Sequence, residues 1–96
     1  MNRHESVPRP PFTPRQGQYL AFIHAYTLVN GQPPAHADIQ RFFHLTPPTV
    51  HQMLLTLEKA GLISRQPSQP RSIAVLVERG RLPRLDPPEL NPSKSL

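Results

Sequence analysis

The chain has no cysteine, only four glycines and only six acidic residues among its 96. Each shortage removes a class of protein. Without thiols there is no disulfide framework and no thiolate metal site. No apolar run approaches the roughly 20 residues that cross a bilayer, and the N-terminus lacks the apolar stretch of a secretion signal. A cytoplasmic protein with no membrane association is expected. The sparse glycines form no phosphate-cradling loop, and no paired carboxylates or nucleophile with its base stand out. The expectation is therefore no enzyme activity and no cofactor. His4, His24, His36, His44 and His51 lack the spacing of a helical ligand pair, so no metal is expected either.

Proline is what the chain has in excess, fourteen in all and unevenly placed, with eight of them near the two ends. Residues 1–11 and 78–96 have little apolar surface to bury and read as flexible tails, the second proline-rich. Residues 12–77 read as one small domain. Its cations are Arg15, Arg41, Lys59, Arg65 and Arg71, against Asp38 and Glu58. A basic body suits a nucleic-acid partner, although charge alone serves solubility equally well.

Three helices follow from caps, stripes and breakers. Thr13 begins the first as a cap, Pro14 suits the first helical position, and Gln16 completes a capping box. Tyr19, Phe22, Ile23 and Tyr26 recur at helical spacing, and Gly31 stops the run, giving a helix over 14–29. A shorter helix over 35–43 turns Ile39, Phe42 and Phe43 inward, with a poor cap in Ala35. The third, over 47–60, starts with a cap at Thr46 and with Pro47 and Pro48 in its first turn. Val50, Leu54 and Leu57 form its buried stripe, and Gly61 ends it. Two strands follow, over 62–66 and 72–77, joined by the turn-rich "PSQP".

The short turn "HLTPP" between the second and third helices is what a helix-turn-helix requires. The third helix can then enter a major groove with its N-terminal residues nearest the bases. Away from its apolar stripe lie Thr49, His51, Gln52, Thr56 and Lys59. Gln52 can make two bonds to adenine, and a threonine can meet a base or a thymine methyl. Thr46 and Pro48 stand at the start of the same helix. Arg65, Gln66, Gln69 and Arg71 surround the hairpin tip as candidate phosphate contacts. Arg15 and His36 stand at helix starts, where backbone N–H groups also meet phosphate. The fold class expected is mainly α with a small β-hairpin: a winged helix-turn-helix of three helices and a two-stranded wing.

Four segments in order, "TPRQGQYLAFIHAY", "GQPPAHADIQRFF", "PPTVHQMLLTLEKAGLI" and "PRSI", resemble the N-terminal DNA-binding domain of LexA-type repressors, from Phe12 to Ile73. The resemblance implies a winged helix-turn-helix that binds operator DNA through the third helix. At this length the chain is expected to have no room for that family's self-cleaving domain, so self-cleavage is not carried over. The turn between helices two and three is one residue shorter than is common there. The family often has basic residues where Gln52 and Leu55 stand, so operator sequence does not transfer. The expected function is a sequence-specific double-stranded DNA-binding regulator, a bacterial repressor, with two copies pairing on one operator. The alternative is a protein-interaction adaptor that does not bind DNA, since the fold alone does not certify the ligand.

Overall fold

The computed structural model describes residues 11–87. The remaining parts of the two expected tails, residues 1–10 and 88–96, lie outside the described residues. The first helix, α1, spans Pro14–Asn30. Its capping box is complete: Thr13 Oγ1 accepts from the Gln16 N–H at 3.1 Å, and Gln16 Oε1 accepts from the Thr13 N–H at 2.9 Å. Gly31, at φ +76°, closes the helix by donating its N–H to the Thr27 carbonyl. That left-handed conformation is one glycine adopts without a Cβ clash.

Helix α2 runs over His36–Phe43. Ala35 has no side chain with which to cap it, and Asp38 compensates from within. Its carboxylate accepts the Ala35 N–H at 2.8 Å, which satisfies a half-buried donor and sets an anion at the positive helix end. His44, in the left-handed region at φ 56°, turns the chain into α3.

Helix α3 spans Pro47–Lys59. Thr46 does not cap it through its side chain, contrary to the sequence expectation. The second helical position is Pro48, which has no N–H to offer, and the Thr46 hydroxyl pairs with that of Thr49 at 2.9 Å instead. Gly61, at φ +77°, leads out of the helix.

The wing is an antiparallel pair, β1 (Ile63–Ser64) and β2 (Ala74–Val75), with Ile63 opposite Val75 and Ser64 opposite Ala74. Both strands are shorter than expected. Beyond Ser64 the Gln66 N–H bonds to the Ser72 hydroxyl at 2.9 Å rather than to a facing strand. Pro70 has no donor, and Ser68 and Arg71 take positive φ, so the ladder cannot continue through the tip. Three helices and this hairpin make a winged helix-turn-helix.

One core joins all five elements. Leu20 and Ile23 of α1, Ile39 and Phe43 of α2, and Val50, Leu54 and Leu57 of α3 are buried, with Leu62, Ile63 and Ile73 closing the wing side. Aromatic rings lock α1 to α2: Tyr19 meets Phe43 edge-on at 4.9 Å, and Phe22 stacks on Phe42 at 4.6 Å.

The segment after the wing corrects the expected boundary at residue 77. Residues 78–87 are a strap lying against α1. It contains a 3₁₀ turn over Arg79–Arg81, and Leu82 and Leu85 pack on the core. Gln18 fastens it: its Nε2 donates to the Arg84 carbonyl and its Oε1 accepts from the Asp86 N–H, both at 2.9 Å. Gly17 leaves the space for this contact. A Cβ there would meet Phe12 and Pro83, each at 3.0 Å.

Candidate nucleic-acid interface

Helix α3 is pinned by one stripe and open on the rest. With Val50, Leu54 and Leu57 buried, helical geometry leaves Thr49, His51, Gln52, Thr56 and Lys59 exposed to solvent. Pro47, Pro48 and Thr46 are exposed at the leading end. Thr56 directs its hydroxyl proton to the Gln52 carbonyl at 3.0 Å, so outward it offers an acceptor and a methyl group. Leu55 interrupts this polar face at 38% exposure, as single surface leucines commonly do. The one acid on the helix, Glu58, is paired while 40% of its side chain stays exposed: Arg65 of the wing bonds it through Nε at 3.1 Å. The outward face of α3 is thus polar, with its single negative charge balanced by Arg65.

Two hollows flank the helix. One, of about 540 Å³, runs between the start of α1 and α3, with Thr13, Arg15 and Gln16 facing Pro48, Thr49 and Gln52. Arg15 and the leading half of α3 therefore share a surface, as the sequence implied separately for each. The other, of about 600 Å³, lies between the start of α2 and the wing and includes His36, Arg65, Gln66 and Gln69. Burial lowers the His36 pKa, and the nearby charges of Arg65 and His51 lower it further. Three groups that can carry positive charge thus gather at one place from α2, α3 and the wing.

Arg71 is engaged within the fold. Its guanidinium turns inward to Asp38 at 3.1 Å, the Tyr26 hydroxyl at 3.1 Å and the Pro33 carbonyl at 3.2 Å, lying over the Tyr26 ring at 5.9 Å. The Tyr26 hydroxyl bond is the leading cause of its raised pKa. Asp38 binds three groups at once, the Ala35 N–H, Arg41 at 2.6 Å and Arg71. The Ala35 bond is the largest cause of its lowered pKa. Arg71 is therefore a fastener between wing and body. Arg65 is also engaged, through Glu58, and its side chain is only 19% exposed. Gln66 and Gln69 remain exposed on the tip.

Sequence reasoning passed over Arg79, Arg81 and Arg84 by treating the strap as a tail. All three are exposed, and their guanidiniums have no ion pair or hydrogen bond among the described residues. The available signal was Leu82 and Leu85, two leucines three residues apart inside a proline-rich run. Among the described residues no His, Asp or Glu side chains gather as a metal site, and no helix is long and apolar enough to cross a membrane.

Residues 9–72 match the model of the LexA DNA binding domain family. The chain is 44% identical over 64 residues to the LexA repressor of Thermosipho africanus, an alignment covering 67% of this chain and 32% of that protein. It is 40% identical over 63 residues to the LexA repressor of Thermotoga petrophila, covering 66% and 32%. Against the LexA repressor of Exiguobacterium sibiricum it is 39% identical over 66 residues, covering 68% and 32%. The chain thus spans about a third of the length of these curated relatives. Winged fold, open third helix and aligned sequence agree: the chain belongs to the LexA DNA-binding domain family.

Proposed function

We propose that this chain is a sequence-specific double-stranded DNA-binding module that acts as a bacterial transcriptional repressor. The observation that carries this reading is the outward face of α3, which is exposed, rich in hydrogen-bonding groups and has its one acid paired with Arg65. Gln52 and Thr49 would meet base edges in the major groove, with Thr46, Pro48 and Thr56 around them. Arg15, His36, His51, Lys59, Gln66 and Gln69 would meet phosphates and orient the module. The names of the similar repressors support the same reading.

One module of this size makes a small interface, and specific affinity usually needs more surface. Two copies on a palindromic site would supply it. Selection of bound duplexes from a random pool tests the whole reading. Recovery of a defined motif is expected, repeated head to head when two copies bind. Recovery of no motif, with binding equal on all duplexes, rejects sequence-specific recognition.

A further inference from the structure

The positive charges nearest the wing are already engaged within the fold. Arg65 pairs with Glu58, while Arg41 and Arg71 both pair with Asp38. The exposed arginines of the strap, Arg79, Arg81 and Arg84, have no such partner among the described residues. Glu78 and Asp86 bracket them, so the segment carries three guanidiniums against two carboxylates.

The strap is also held in place. Gln18 binds the main chain on both sides of Leu85, at the Arg84 carbonyl and the Asp86 N–H. Pro83 and Phe12 both sit against Gly17, while Leu82 and Leu85 are packed on the core. Gly17 and Gln18 lie within one turn of Arg15, which lines the hollow shared with Pro48, Thr49 and Gln52. The strap therefore crosses α1 beside the end that adjoins the leading half of α3. Fixing the backbone in advance removes much of the ordering cost a loose basic tail meets on binding.

We propose that the clasped strap is a further part of the DNA-binding surface. Arg79, Arg81 and Arg84 contact backbone phosphates that flank the bases read by α3. The strap does not read sequence. A guanidinium suits phosphate because its planar fork offers paired N–H donors. This inference rests on the proposed DNA binding, and it adds grip outside the helix-turn-helix and wing.

The test uses the full chain and two probes, a labelled random-sequence duplex and the best duplex selected from the random pool. A variant carrying Arg79→Ala, Arg81→Ala and Arg84→Ala should bind both probes about tenfold more weakly near 0.15 M salt. Its salt slope should fall by about 0.9 for each arginine that had met a phosphate. Preference for the selected duplex should stay unchanged. Gln18→Ala keeps all three charges and releases the clasp, and should lose part of the same affinity on both probes. Unchanged affinity and slope in the triple variant, with a parent chain that binds and discriminates, would overturn the strap's role. A parent chain that binds neither probe would instead overturn the DNA-binding reading on which it rests. A triple variant that weakens binding beside a Gln18→Ala variant that matches the parent would overturn the requirement for clasping.

Discussion

The outer face of α3 and the flank of the wing both look polar and basic in sequence, yet the fold treats them in opposite ways. On α3, Thr49, His51, Gln52 and Lys59 stand open to solvent. On the wing flank, Arg65 and Arg71 are drawn back onto Glu58 and Asp38. Charge counted along a chain is therefore not charge available to a ligand. The wing arginines hold the hairpin against the helices, and the helix face stays open.

The sharpest way to break this contrast is at Asp38. Replacing it with alanine removes the Ala35 cap bond and leaves Arg71 without its acid. Asp38→Ala should cost roughly 3 kcal/mol of stability in a denaturant titration. A loss under about 0.5 kcal/mol would mean the wing is not fastened there. Gln52→Ala should behave in reverse, costing roughly 1–3 kcal/mol of binding on the selected site and little on random DNA. Its melting temperature should match the parent's, because Gln52 is exposed. Equal loss on every sequence would make α3 a gripping helix and not a reading one.

Arg65→Ala sharpens the comparison further. It uncovers Glu58 on α3, so weaker DNA binding should come from the freed acid as much as from any lost contact. Adding Glu58→Gln to Arg65→Ala should restore binding by up to about 1 kcal/mol. If it restores nothing, Arg65 touches DNA itself. Arg71→Ala, by contrast, should lower the melting temperature while leaving sequence preference intact.

The smallest expected effect is a pH dependence with two signs. The folded chain holds the His36 pKa below its ordinary 6.5. Below that value the unfolded chain binds more protons, so the stability owed to neutral His36 is present above 6.5 and falls as pH drops through the folded pKa. A nearby phosphate favours the protonated ring, so DNA affinity should rise over the same descent. Calorimetric melts and binding titrations between about pH 5 and 7.5 would follow both trends. His36→Gln should flatten them together. Asp38 adds a second loss of stability at lower pH, because its pKa lies below the ordinary 3.8 and its contribution goes as pH falls through the folded value.

Local rules made the three helices legible. The Thr13–Gln16 box, the paired prolines before Thr49, and Gly31 and Gly61 act on neighbours a few residues away. The open face of α3 followed from the same periodicity. Long-range contacts stayed hidden. Nothing in the neighbourhood of Arg71 announces that Asp38 and Tyr26, far back in the chain, will hold it. The strap is not legible because its two half-buried leucines sit among prolines and arginines, a composition that suggests a solvated tail. Gln18 on its own reads as an ordinary polar helix residue. Its role appears only when residues 84–86 arrive beside it. The strands were read too long because the alternating Ile73, Val75 and Val77 carry no record of where hydrogen-bond partners run out.

Chains are synthesised from the N-terminus, which gives the Gln18 clasp a place in time. Its two partners lie 66 and 68 residues further along. At roughly 5–20 residues per second, several seconds separate them on the ribosome. Throughout that interval these two bonds are unmade, while the residues of the helices and the wing have already been joined. The strap follows them. A nascent chain paused before residue 84 therefore lacks the clasp, and translation itself sets when it can close.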